Sequence, residues 1–260
     1  MSVSNPCCMR KIIFLITKYN YKMSLTGNMH EHLDQIIRKI KIGDKFGVIR
    51  PSDGEYLILE NHTFTNCDNW TNYSNGILRE QLLESVKVVN SNLFIGIPCN
   101  TCGHNPLHIY DDYINKYQVQ TSQLTYANVF CNSNWPRFMD FLKSYEKGFY
   151  LITTGTKECE FPIKERLFID KYLVNNWNTV WETETNRILD YVKDKHNELI
   201  CFASGPLTKI WIPKCMDLNP TNVYLDIGSA LDYYVKDTVH HRPYTDPNTH
   251  YSKECCSFSQ

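Results

Sequence analysis

The sequence lacks a charge excess of either sign, an apolar run long enough to span a bilayer, and a regular cysteine framework. With 27 Lys plus Arg against 28 Asp plus Glu, no overall field draws the chain to nucleic acid or to an anionic membrane. Any anionic ligand must therefore be held by a local arrangement. The apolar stretch "KIIFLIT" lies between Lys11 and Lys18, too short for a transmembrane helix, and no small-residue cleavage site follows it. The 11 cysteines are odd in number and scattered, with adjacent pairs at Cys7, Cys8 and at Cys255, Cys256, which excludes a secreted disulfide scaffold. The expectation is a reducing, cytoplasmic location, with the sequons at Asn61, Asn69 and Asn72 as products of an Asn-rich composition. The Lys-, Asn-, Ile- and Tyr-rich composition fits an AT-rich genome, such as that of a parasite or a large DNA virus acting in host cytoplasm.

Several catalytic signatures are also missing. There is no phosphate loop and no dinucleotide fingerprint, and Ser204 lacks the upstream glycine of a nucleophile elbow. In "IPCNTCGHN", Cys99, Cys102 and His104 offer three ligands without a second matched pair, so the expectation is a strand-end loop near nucleotide or acceptor rather than a zinc site.

What is present is a chain of 260 residues with 42% hydrophobic content, enough for one large core. Residues 1 to 27 carry no convincing pattern and read as an N-terminal extension; residues 28 to 260 read as a single domain. Met29, Leu33, Ile36, Ile37 and Ile40 repeat at helical spacing, and "KFGVIR" follows as a strand. After a polar loop at 61 to 75, Leu78, Leu82, Val86 and Val89 mark a second helix, with "LFIGIP" as the next strand. "NWPRFMDFLKSY", with Pro136 in its first turn, "ETNRILDYVKDK" and "PLTKIWIPKCM" read as helices; "GFYLITT", "LICFASG" and "NVYLDIGS" read as strands. The alternation predicts an α/β fold, Rossmann-like, with a mostly parallel sheet and helices on both faces. Ligands of such folds collect at the carboxyl ends of the strands.

Three of those ends carry chemistry. In "VIRPSDGEYLIL", Asp53 and Glu55 are two residues apart: they either start a helix, favoured by its electropositive first turn, or share one hard cation. In "FASGPLTK", Gly205 permits close backbone approach and Pro206 suits the first turn of a helix whose amino end favours phosphate. In "YLDIGSALD", Asp226 and Asp232 flank a glycine turn. A Mn²⁺ or Mg²⁺ held by Asp53 and Glu55 would stabilise a leaving diphosphate, with Arg50 either pairing to phosphate or shaping the acidic loop. For the base that an acceptor hydroxyl needs, Asp232, His240 and His241 are the candidates.

The order R-P-S-D-G-E, "LICFASGPLTKIWI", "NVYLDIGSALDYY" resembles glycosyltransferases with the GT-D fold, typified by bacterial enzymes that extend glycans on serine-rich adhesins. The resemblance spans roughly residues 29 to 245. It implies a metal-dependent glycosyltransferase in which Asp53 and Glu55 act in catalysis and bind Mn²⁺ or Mg²⁺; Asp232, a base candidate from the residues themselves, completes the candidate catalytic set. Arg50 matches the family's arginine before the acidic pair, and the strand-end turns add Ser52, Gly54, Gly205, Pro206, Asp226, Gly228 and Ser229 as candidate nucleotide-sugar contacts. In "HHRPY", an R-x-Y stretch similar to that of some relatives adds Arg242 and Tyr244 near sugar or acceptor. Pro51 and Ser52 stand where the family commonly has an aromatic or small residue and a glycine. Ser229 stands where the streptococcal enzymes have a histidine. The implied partners are a nucleotide-diphosphate sugar, a UDP-sugar first, and a glycan or glycoprotein acceptor. The competing readings are a non-catalytic nucleotide-sugar or carbohydrate-binding protein, to which the 17 Tyr and 5 Trp would suit stacking, and a metal-dependent phosphohydrolase.

Overall fold

The computed structural model describes residues 24–74, 76–101, 107–236 and 242–258. Most of the expected N-terminal extension lies outside them, as do His240, His241, Cys102 and His104.

The first helix, α1 (Met29–Ile42), begins where Asn28 accepts the His30 and Glu31 amides in a capping box and ends at Gly43 in the left-handed conformation. Met29, Leu33, Ile36 and Ile40 form its buried stripe. Seven parallel strands follow: β1 (Gly47–Ile49), β4 (Leu93–Ile97), β5 (Leu124–Tyr126), β6 (Phe149–Thr153), β7 (Ile163–Phe168), β8 (Leu199–Ala203) and β9 (Val223–Asp226). Their order in the sheet is β5-β4-β1-β9-β8-β6-β7. A small antiparallel hairpin, β2 (Phe64–Thr65) and β3 (Thr71–Asn72), stands apart.

Side-chain alternation along the strands divides the core. Ile49, Ile95, Phe202 and Tyr224 point to the face covered by α2 (Asp53–Leu59), α3 (Ile77–Val86), α6 (Trp177–Val192) and α7 (Leu207–Leu218). Val48, Phe94, Cys201 and Leu225 point to the face covered by α1, α5 (Trp135–Lys143) and α8 (Asp232–Val235). One further short helix, α4 (Leu107–Asp111), continues into a π-helical turn, Asp112–Lys116.

The first and last strands of the sheet, β1 and β9, pair at its centre, with β4 and β5 to one side and β8, β6 and β7 to the other. Such a reversal of strand order opens a crevice at the carboxyl edge. The elements that the sequence reading did not resolve share a physical reason. β7 is an edge strand with no fully buried residue, β5 is three residues long, and the hairpin strands are two residues each, so none presents a long apolar run.

Candidate functional site

The acidic loop continues from β1 and becomes the first turn of α2. Ser52 is extended at the helix cap, and Glu55 turns back so that its Oε2 accepts the Ser52 amide at 3.0 Å. Tyr113, fully buried in the π-helical turn, donates its hydroxyl to the Ser52 carbonyl at 2.9 Å. Burial, with Glu55 nearby, raises the Tyr113 pKa well above its ordinary value, so this phenol stays a donor. The two carboxylates of the acidic pair therefore differ in what they touch. Both lie in the first turn of α2, but Glu55 is buried and turned onto the cap, whereas Asp53 is exposed and receives the Ser52 hydroxyl at 3.1 Å.

Beneath this loop lies a buried group of four charges. Lys209, in the first turn of α7, is 4% exposed and places its ammonium 2.9 Å from Glu55 Oε1, 3.0 Å from Asp226 Oδ2 and 3.1 Å from the Gly205 carbonyl. All three of its N–H donors are thus used. Burial alone would lower the Lys209 pKa, but Asp226 and Glu55 outweigh it and the value is raised. Asp226 also accepts the Arg50 amide on Oδ2 at 2.9 Å and the Gly228 amide on Oδ1 at 3.1 Å. Arg50 sends Nε to the Asp226 carbonyl and Nη1 to the Ala127 carbonyl, each at 2.6 Å, so its guanidinium ties strand ends together. Gly228 has φ +51°, and a Cβ there would fall 2.2 Å from Arg50 Nη2, so both the turn and the close approach require glycine.

Above the sheet edge is a cleft of about 790 Å³. The acidic loop, the Gly205–Pro206 turn opening α7 and the loop after β9 line it, and the hairpin supplies Phe64 and residues 66 to 70. Trp70 packs edge-on to Phe64, with ring centroids 5.7 Å apart. A second group of four charges stands at this cleft. Arg242 Nη2 is 3.0 Å from Asp232 Oδ2 and 3.4 Å from Asp68 Oδ2; Lys236 Nζ is 3.1 Å from Asp232 Oδ2 and 3.4 Å from Asp68 Oδ1. Burial opposes the Arg242 charge, but Asp232 and Asp68 more than compensate and raise its pKa. Tyr244 donates to the Ser229 carbonyl at 3.0 Å and meets the Ser229 hydroxyl at 2.8 Å, which fastens the C-terminal segment to the turn after β9.

Arg50, Ser52, Asp53, Gly54, Glu55, Gly205, Pro206, Gly228, Ser229, Asp232, Arg242 and Tyr244 all line this cleft. Asp226 is the exception: it is fully buried behind the wall, and its carboxylate is spent on Lys209 and on backbone amides. Sequence reasoning passed over Lys209, although a lysine inside the apolar run "PLTKIWI" was its visible signal, since a buried lysine needs paired carboxylates. It also passed over Tyr113, Asp68 and Lys236, whose roles depend on contacts distant in sequence. Among the described residues, no cluster of three or more His, Cys, Asp or Glu side chains is placed to hold a metal ion. Asp53 fits a hard cation that takes one or two protein carboxylates and completes its shell with phosphate oxygens and water. Glu55 does not present itself in the same way, since each of its oxygens already accepts an N–H.

No family model matches the chain, and no curated protein matches it in sequence. Solved structures do match in fold. One is described as "The highly conserved domain of unknown function 1792 has a distinct glycosyltransferase fold"; it is 16% identical at a TM-score of 0.53, over 78% of this chain and 79% of that one. Another, "A New Glycosyltransferase (DUF1792) from Streptococcus sanguinis", is 12% identical at a TM-score of 0.53, over 88% of this chain and 93% of that one. The chain therefore has the fold described for the domain 1792 structures as a distinct glycosyltransferase fold. No helix among the described residues is long and apolar enough to cross a membrane.

Proposed function

We propose that the protein is a glycosyltransferase that moves a sugar from a nucleotide-diphosphate sugar, a UDP-sugar first, to a hydroxyl of a glycan or glycoprotein acceptor. The observation that carries this reading is the convergence on one cleft of an exposed carboxylate, a helix amino end and two cations. These are Asp53, the Gly205–Pro206 opening of α7, and the pair Lys236 and Arg242. The cleft volume is within the range of small-molecule sites, and the shared fold supports the same class.

In this reading the amino end of α7 and Arg242 bind the diphosphate, and Asp53 ligates a Mn²⁺ or Mg²⁺ ion that supplies charge stabilisation of the leaving group. Trp70 and Phe64 give the cleft an aromatic surface. Asp232 holds Lys236 and Arg242 through Oδ2, so it fixes the cations at the cleft.

The test is a panel of nucleotide sugars measured by thermal shift with and without Mn²⁺, followed by assay of nucleotide release with glycan acceptors. A donor that raises Tm and releases nucleoside diphosphate is the expected result. Binding without release would favour a non-catalytic binder, inorganic phosphate release a phosphohydrolase, and no shift with any donor would overturn the reading.

A further inference from the structure

The two carboxylates of the acidic loop are chemically different in this fold, and Lys209 is the cause. Its ammonium sits between Glu55 and Asp226 with the Gly205 carbonyl as third acceptor, and the group is almost wholly buried. A divalent cation bonded to Glu55 Oε1 would lie against this ammonium, in a place where low dielectric strengthens repulsion. The other oxygen, Oε2, is turned back onto the Ser52 amide. Asp53 carries neither constraint.

We infer that Lys209 is the built-in cation of the donor site: it neutralises Glu55 and Asp226, makes Glu55 a positioning residue for the acidic loop, and leaves Asp53 as the carboxylate that ligates a divalent ion. This assignment rests on the donor reading above only for the identity of the ligand. It also accounts for the closeness of the loop to α7. One side chain joins the turn after β8, the end of β9 and the start of α2, so the diphosphate side of the cleft is braced by a charge that belongs to the protein.

The test uses full-length wild type, Asp53→Asn, Glu55→Gln, Lys209→Met and the double variant Lys209→Met with Glu55→Gln. Mn²⁺ is titrated with UDP present and free Mn²⁺ is read by electron paramagnetic resonance. Asp53→Asn should weaken Mn²⁺ binding by about tenfold or more, while Glu55→Gln should leave it within about threefold. In thermal melts without nucleotide, Lys209→Met should lower Tm, and Mn²⁺ should restore part of the loss by occupying the vacated place between the carboxylates. That rescue should vanish in the double variant, which melts above Lys209→Met in the absence of metal because one uncompensated charge is gone. Equal loss of Mn²⁺ binding in Glu55→Gln and Asp53→Asn overturns the inference, as does Mn²⁺ rescue that persists in the double variant. If Lys209→Met does not fold, the Glu55→Gln and Asp53→Asn titrations decide alone. If wild type binds no Mn²⁺ with UDP, the donor reading fails, and the Mn²⁺ rescue of Lys209→Met still decides for or against Lys209 as the built-in cation.

Discussion

The cleft is served by two groups of four charges, each with two cations and two carboxylates, and they differ in depth. Arg50, Glu55, Lys209 and Asp226 are all nearly or wholly buried, and their bonds run to strand ends and backbone groups. Lys236 and Asp68 keep side-chain exposures of 19% and 26%, and the group bridges the hairpin to the segment after β9. A buried group that is fully paired fixes geometry, because losing one member strands an unpaired charge in low dielectric. A partly solvated group holds its members loosely enough for an incoming anion to compete for them. Under the proposed function, the same charge count would serve architecture at Lys209 and ligand exchange at Arg242.

The largest expected effect is at Lys209. Lys209→Met should destabilise the protein by about 3–5 kcal/mol, the range for breaking a buried pair, as measured by urea unfolding. A loss as small as that expected at Lys236 would remove the distinction between the groups. Second, the two groups are best told apart at neutral pH, because His32 adds an acid-labile background. Buried against Tyr126, with Nδ1 3.1 Å from the Thr125 hydroxyl, its pKa is lowered by burial to about 4. Since the folded value lies below the unfolded 6.5, the neutral ring's contribution is complete above pH 6.5 and is lost as pH falls towards 4. The amount is about 3 kcal/mol. His32→Gln should flatten that part of a stability-against-pH profile.

A smaller effect separates two glycines of the site. Gly228→Ala should cost about 1–3 kcal/mol through its positive φ and the displaced Arg50, whereas Gly54→Ala meets nothing within 4 Å and should match wild type or melt slightly higher. Thermal melts of the two variants read the difference. Smallest is Lys236→Met, expected to cost under about 1 kcal/mol and to lose even that in high salt. Salt-dependent denaturation checks it, and a salt-insensitive loss of several kcal/mol would mean that the second group is as architectural as the first.

Much of the fold was legible because its central strands are apolar runs and its helices carry periodic stripes: β1, β4, β6, β8 and β9 all fall within segments the sequence marks as strands. The site was legible as strand-end turns, and the residues from those turns gather at one cleft, apart from Asp226. What could not be read was direction and pairing. Nothing local in "DIGS" shows that Asp226 faces Lys209 instead of the cleft, and nothing in "PSDGEY" shows that Glu55 folds back to Ser52 while Asp53 does not. Asp68 lay in a polar stretch that reads as loop, and its partners Lys236 and Arg242 are more than 160 residues away in the chain. Such contacts are set by tertiary packing, which periodicity and spacing do not encode.

The central claim, that this cleft binds a nucleotide-diphosphate sugar through a metal on Asp53, is tested most directly by calorimetric titration of UDP into wild type and Asp53→Asn, with and without Mn²⁺. Asp53 is exposed, so the substitution should change the stability of the free protein by no more than about 0.5 kcal/mol. Mn²⁺-dependent UDP binding is expected in wild type, with its loss in Asp53→Asn at unchanged Tm. Equal Mn²⁺-dependent binding by the two proteins, or unfolding of Asp53→Asn, would contradict it.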